Sequence, residues 1–313
     1  MQAPTRDDII AAAGRIEGRV HRTPVMTTDA LWAGRRIEVK LENTQATGSF
    51  KVRGAFNTLL ASDVPPAGVV AASGGNHGAA VAYAAGRLGH KATIFVPEIA
   101  GPAKIALIES TGADLHVMPG AYSEALSAAQ AFEAETGAMQ IHAYDAPLTV
   151  AGQGTLIREW EDQGLQADTV LIAVGGGGLL AGQLAWLRES TPPQTRVVAV
   201  EPEACPTLWS TTDGSEPHDV EVGGIAANAL GAKRIGRICY DLVVETGPIC
   251  VTVSDESILD AQRLIWNALR QWVEPAGATA LAALTSGVYQ PGPGERVAVL
   301  VCGANIAPDP FGA

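Results

Sequence analysis

Five apolar residues in a row, Val170-Leu171-Ile172-Ala173-Val174, run directly into four glycines, Gly175 to Gly178. A strand without polar alternation is one buried on both faces, and such strands belong to parallel sheets covered by helices. Glycine has no Cβ, so a backbone turn made of it can approach another group closely. If a helix follows, its first N–H groups lie free at that turn and favour negative charge.

The same alternation recurs along the chain. An amphipathic helix is predicted over Asp7–Arg19, with Ile9, Ile10 and Ile16 on one side, then a strand over Ile37–Leu41 and a helix from Lys51 to about Leu60. Strands are expected at Val69–Ala72, Lys91–Val96, Asp114–Met118 and near Ile141, separated by helices Asn76–Leu88, Pro102–Ser110 and Tyr122–Thr136. Helix Val150–Gln163, strand Thr169–Val174, helix Leu179–Glu189 and strand Arg196–Glu201 follow. Ser254 is placed to cap a helix reaching about Trp272, with Asp255 and Glu256 in its first turn. A helix over Ala276–Ser286 and a strand over Arg296–Cys302 come last. The pattern predicts an α/β fold with mostly parallel sheets flanked by helices. Asp63-Val64-Pro65-Pro66 and Ala143-Tyr144-Asp145-Ala146-Pro147 read as crossings between two domains. They divide the chain into a large domain of residues 1–62 and 147–313 and a small one of residues 63–146.

Composition narrows the function. A formal charge of −12 argues against nucleic acid or an anionic membrane as partner, and apolar stretches break well short of a membrane span. The start Met1-Gln2-Ala3-Pro4-Thr5-Arg6 has no basic region leading into an apolar core, so no secretory signal is expected. Cys205, Cys239, Cys250 and Cys302 show neither CxxC pairing nor zinc spacing, which fits reduced thiols and a cytoplasmic location.

Three further segments carry chemistry. Lys51 lies in Thr47-Gly48-Ser49-Phe50-Lys51-Val52-Arg53-Gly54, with a flat ring beside it and poor helix formers around it. A solvated surface lysine is the ordinary reading, but a Schiff-base lysine needs this kind of setting, where burial depresses its pKa. Ser73-Gly74-Gly75-Asn76-His77 follows a strand and opens a helix; Ser73 or Asn76 would cap it, and its free N–H groups suit a carboxylate. His77 by itself reads more simply as structural. Val299-Leu300-Val301-Cys302 is a buried strand ending in a thiol, which in isolation is a small hydrophobe. An amine that forms a Schiff base and a glycine cradle for a phosphate are together what pyridoxal 5'-phosphate requires. The rival is a dinucleotide site, with Glu201 ending the next strand, but Gly175, Gly177 and Leu180 fit its spacing poorly and leave Lys51 without a task. A non-catalytic amino-acid-binding protein is the remaining alternative.

These segments, in this order, resemble fold-type II pyridoxal-phosphate enzymes of the threonine/serine dehydratase and serine racemase branch. The resemblance spans nearly the whole chain and takes in Gly152-Gln153-Gly154-Thr155, Val200-Glu201-Pro202-Glu203 and Glu274-Pro275-Ala276-Gly277. It implies two domains like those of the tryptophan synthase beta subunit and a homodimer. By resemblance Lys51 carries the cofactor, Phe50 packs on its ring, Asn76 contacts its phenolic oxygen and Gly175 to Leu179 hold its phosphate. Cys302 takes the pyridine-nitrogen position, Glu274 lies near the ring, and Ser73, Gly74, Gly75, Asn76 and His77 receive the substrate. The implied reaction is β-elimination of a 3-hydroxy amino acid such as L-threonine or L-serine to a 2-keto acid and ammonia. 3-Hydroxyaspartate and bulkier substrates, and racemisation, are the alternatives within the family.

Racemases of this branch have a second serine where this chain has Gly74, which carries no proton to give, so elimination is expected over racemisation. Some members hold a divalent cation beside the position of Glu201; its acidic partner is here Thr207, so no metal is expected. The sequence given stops at Ala313 without the regulatory domain of biosynthetic threonine dehydratases, so isoleucine-type feedback is not expected.

Overall fold

The computed structural model describes residues 2–73, 75–100, 102–120, 122–190 and 195–306. In chain order it contains α1 (Arg6–Ile16), β1 (Val25–Thr28), β2 (Ile37–Leu41), α2 (Lys51–Leu60), β3 (Val69–Ala72), α3 (Asn76–Leu88) and β4 (Ala92–Pro97). Then follow α4 (Pro102–Glu109), β5 (Asp114–Met118), α5 (Tyr122–Thr136), β6 (Met139–Gln140), α6 (Pro147–Asp162), β7 (Thr169–Ala173) and α7 (Gly178–Leu187). The remainder is β8 (Arg196–Pro202), α8 (Ala227–Leu230), α9 (Arg237–Thr246), β9 (Ile249–Val253), α10 (Asp255–Leu269), α11 (Pro275–Thr285) and β10 (Val297–Val301).

The strands form two sheets. The larger runs β1-β2-β10-β7-β8-β9, parallel except for β1, and the smaller runs β5-β4-β3-β6, wholly parallel. Every residue of β7 and β10 is buried, as apolar runs at the centre of a parallel sheet require. β10 pairs with β2 on one side and β7 on the other, with Val299 opposite both Val39 and Leu171. What leaves the carboxyl ends of β2, β10 and β7 therefore emerges from three neighbouring strands, each pair ~4.8 Å apart. Ligands of open α/β sheets collect at such ends.

Glycines let α2, α6 and α7 pack at unusually short range. A Cβ on Gly152 would lie 2.6 Å from the Cα of Gly54, and one on Gly182 would lie 2.5 Å from the backbone nitrogen of Gly154. The Gly152-Gln153-Gly154 segment is thus a helix-packing device. Behind α2, Arg53 is buried against Glu42 at 2.6 Å and Glu159 at 3.0 Å, and Lys40 meets Glu159 at 2.5 Å. Each charge in this cluster has an opposite partner, as burial demands, and the cluster fixes the helix that begins at Lys51.

The structure corrects several expectations. α1 ends at Ile16, and Ile10 is 46% exposed while Ile9 and Ile16 are buried, because Ile10 lies off their shared face. α6 begins at Pro147, which occupies a first-turn position where its missing N–H costs nothing. α10 stops at Leu269 because Arg270 is left-handed at φ 55°, and Trp272 folds back to stack on Trp266 at 4.5 Å. α3 is capped by neither Ser73 nor Asn76; Gly75 is its N-cap, and Ser73 Oγ accepts from the Gly75 N–H at 3.2 Å. β1, β9 and α9 had no counterpart in the sequence reading. The two strands form the edges of the larger sheet, where partial exposure blurs the apolar pattern.

Candidate active site

Lys51 is the first residue of α2, and its amine donates to the Ala143 carbonyl at 2.8 Å. Burial pulls its pKa down to about 8, against the opposing influence of Cys302 and Glu274. The adjacent Phe50 ring is 5.2 Å from that amine, and the Phe50 N–H donates to the Cys302 carbonyl at 3.3 Å. An isolated bridge between Ser49 and Gly303 ties the same two segments together. The carboxyl ends of β2 and β10 thus deliver Lys51 and Cys302 to one place.

The β7 end arrives from the other side. Gly177, left-handed at φ 88°, is the N-cap of α7, and no side chain caps it. The first-turn N–H groups at Gly178 and Leu179 are left for a ligand. The loop is pinned from behind, with Thr207 Oγ1 donating to the Gly175 carbonyl at 2.6 Å and the Gly236 N–H to the Gly176 carbonyl at 3.1 Å. A Cβ on Gly176 or Gly178 would fall within 2.7 Å of Tyr144, the residue next to the Ala143 that holds Lys51. Lysine and polyglycine turn therefore face one short segment, 142–145.

Cys302 is buried, and its thiol donates to the Ala276 carbonyl at 3.4 Å. Burial, reinforced by Glu274, drives its pKa far above the usual thiol range, so it stays neutral. Glu274 is buried beside it and accepts from Asn76 Nδ2 at 2.5 Å. Burial pushes its pKa up to about 7 despite that bond and the nearby Lys104 and Lys51. Asn305 sets which way Asn76 points, because its amide nitrogen donates to Asn76 Oδ1 and to the Thr47 carbonyl, both at 2.7 Å. Asn76 Nδ2 is thereby turned toward Glu274.

His77 is buried, and its Nε2 bonds to the Ile141 carbonyl at 2.8 Å, with a pKa pushed down to about 3 by burial and then by Lys51. Its side chain is a neutral strut, so any role in binding substrate falls to its backbone N–H. Gly74 lies outside the described residues.

Sequence reasoning gave no site role to Asn305 or to the 142–145 segment, most of which it read as a crossing between domains. His142 Nδ1 accepts the Tyr144 and Asp145 N–H groups at 3.3 and 2.9 Å, and the Asp145 carboxylate accepts the Arg237 and Ile238 N–H groups at the start of α9, both at 3.0 Å. The only sequence signal for it was the Asp-Ala-Pro turn itself.

The residues present fit pyridoxal phosphate. They include a desolvated amine, an uncapped glycine helix start and, among the described residues, two buried hydroxyls without partners, Thr47 Oγ1 and Ser49 Oγ, in the segment that leads into Lys51. They do not fit a dinucleotide. Glu201 is 1% exposed and its carboxylate is taken by Thr207 Oγ1 and the Leu208 and Trp209 N–H groups at 2.7 to 2.9 Å, leaving nothing for a ribose. Among the described residues, no group of three His, Cys, Asp or Glu side chains is placed to hold a metal ion, and no helix is long and apolar enough to cross a membrane.

Fold and site together define an α/β enzyme built around the desolvated amine of Lys51. Residues 16–303 match the model of the pyridoxal-phosphate dependent enzyme family, and the chain belongs to that family. It is 37% identical to a phenylserine dehydratase of Ralstonia pickettii, over 97% of this chain and 95% of that one. It is 33% identical to an L-threonine ammonia-lyase of Thermotoga maritima, over 96% and 76%. Among solved structures it resembles maize serine racemase, with a TM-score of 0.91, 31% identity and coverage of 98% and 95%. The fold is accordingly that of fold-type II, and the cofactor is pyridoxal phosphate.

Proposed function

We propose that the chain catalyses β-elimination from a 3-hydroxy amino acid such as L-threonine or L-serine, releasing a 2-keto acid and ammonia. The observation that carries this reading is the delivery of Lys51, Cys302 and Gly175–Gly178 from three adjacent parallel strands, with the lysine amine held near neutrality. Lys51 would hold the cofactor, and Gly175, Gly176, Gly177, Gly178 and Leu179 would receive its phosphate through backbone N–H groups. Phe50, Asn76 and Glu274 would flank its ring, with Cys302 at the pyridine nitrogen. Bound pyridoxal phosphate supplies the electron sink for charge developing at Cα. Released during turnover, the Lys51 amine takes the Cα proton as general base. A neutral Cys302 thiol would put no negative charge at the ring nitrogen, which would restrain that sink and favour elimination over transamination. Ser73, Gly75, Asn76 and His77 line the start of α3, whose N–H groups orient the substrate carboxylate.

This reading assigns residues 1–62 and 147–313 to a large cofactor-holding domain and 63–146 to a small one, in keeping with the two sheets. It includes a cytoplasmic homodimer, which sedimentation and cell fractionation would test. A larger β-substituent is favoured as second reading by the likeness to phenylserine dehydratase. Ammonia and keto acid should be assayed with L-threonine, L-serine, phenylserine and 3-hydroxyaspartate. Release from none of them contradicts the proposal, and D-serine formed as fast as ammonia would make racemisation the main activity.

A base works only when unprotonated, so the pKa of Lys51 sets a direction. Because the amine is free only in the complex with substrate, its titration belongs to kcat, which should fall by about tenfold per pH unit below about 8 and level off above that value. A flat profile across the acidic limb would remove Lys51 as the base.

A further inference from the structure

A second lysine approaches the same site from the smaller sheet. Lys104, on α4, is 5% exposed, yet among the described residues the hydrogen bond that its ammonium makes is a long one, to the Asn228 carbonyl at 3.4 Å. An ammonium carries three donors and is seldom buried without an anion. Burial lowers its pKa, and the carboxylate that opposes this is Glu274, already engaged by Asn76. The Lys104 amine also overlooks the start of α3. A Cβ on Gly75 would sit 4.0 Å from Lys104 Nζ and 3.1 Å from the Asn228 carbonyl. Gly75 is the N-cap of the 13-residue α3, and no side chain satisfies the N–H groups of its first turn. Positive dipole, uncapped donors and an under-partnered ammonium thus converge on one point, where a small anion would satisfy all three.

We propose that Lys104 is a substrate-binding residue whose ammonium pairs with the α-carboxylate of the amino acid docked on the N-terminus of α3. This rests on the reading given under Proposed function and extends it to a residue outside the loop that reading uses. Lys104 belongs to the stretch between β2 and β7 that carries the smaller sheet, whereas Asn228 lies in α8 on the larger part of the chain. In this arrangement the substrate carboxylate completes a contact between the two parts.

The test compares two unreactive ligands on the cofactor-loaded protein by calorimetry: L-alanine, and L-alaninol, which has a hydroxymethyl group in place of the carboxylate. Lys104→Met should reduce the alanine-over-alaninol preference by about tenfold or more, the scale of one charge-assisted hydrogen bond. Lys104→Arg should retain most of the preference. The variants should keep the wild-type visible spectrum, and with substrate KM should rise more than kcat falls. If Lys104 only braced α4 against α8, both ligands would weaken together and the preference would persist, which overturns the proposal. Should the Met variant not fold, Lys104→Gln takes the same measurement. Failure of the loaded wild-type protein to bind alanine at all would instead sink the functional reading beneath.

Discussion

Lys51→Ala should release no detectable ammonia from any 3-hydroxy amino acid, a loss of at least about a thousandfold in kcat, while remaining folded. Two roles rest on this one nitrogen, holding the cofactor and removing the Cα proton, and alanine supplies neither. Stability should survive because α2 is not held by Lys51. The helix is fixed by Arg53 between Glu42 and Glu159 and by its close approach to Gly152. What the substitution removes is one bond to the Ala143 carbonyl and a partly desolvated amine. Circular dichroism and thermal melting of the variant without cofactor should match the wild type, and the visible band of the loaded enzyme should vanish. A variant that keeps both the band and turnover would disprove the role of Lys51.

Gly177→Ala should weaken cofactor binding by about a hundredfold, the loss of one or two charge-assisted hydrogen bonds. Two effects combine there. At φ 88° the backbone is in the left-handed region, where a side chain costs ~1–2 kcal/mol. The new methyl would also lie 2.6 Å from Cys239 Cβ and Sγ, so the turn must shift and its N–H groups lose their aim. Gly214→Ala is the matched control. Gly214 has φ 90°, and a Cβ there meets nothing within 4 Å, so it carries the backbone cost alone. The control should melt lower but bind cofactor as the wild type does. Equal cofactor affinity in the two variants would mean that the polyglycine turn does not hold the phosphate.

Much of this was legible from the chain because the informative residues are consecutive. Val170–Val174 announces a central strand by lacking polar residues, and Gly175–Gly178 announces its own turn. Lys51 stood out through its neighbours, and Cys302 through its place at the end of an apolar strand. Order along the chain could not show that β10 lies between β2 and β7, which is what brings lysine, thiol and glycines together. Nor could it show the partners made across long separations. Asn305 turning Asn76, Ala143 receiving Lys51 and Lys104 reaching Asn228 each join residues 92 to 229 positions apart. His77 reads as structural by itself and as a substrate contact through the resemblance. Its ring is spent on the Ile141 carbonyl, an acceptor that the pairing of β6 with β3 brings within reach.

The most direct measurement is to load the purified protein with pyridoxal phosphate, reduce it with borohydride and map the pyridoxyl mass on tryptic peptides. The chain has five lysines, Lys40, Lys51, Lys91, Lys104 and Lys233, so the outcome is discrete. The label should fall on Lys51 alone. Label on Lys104 or any other lysine, or no stable label, would contradict the site described here.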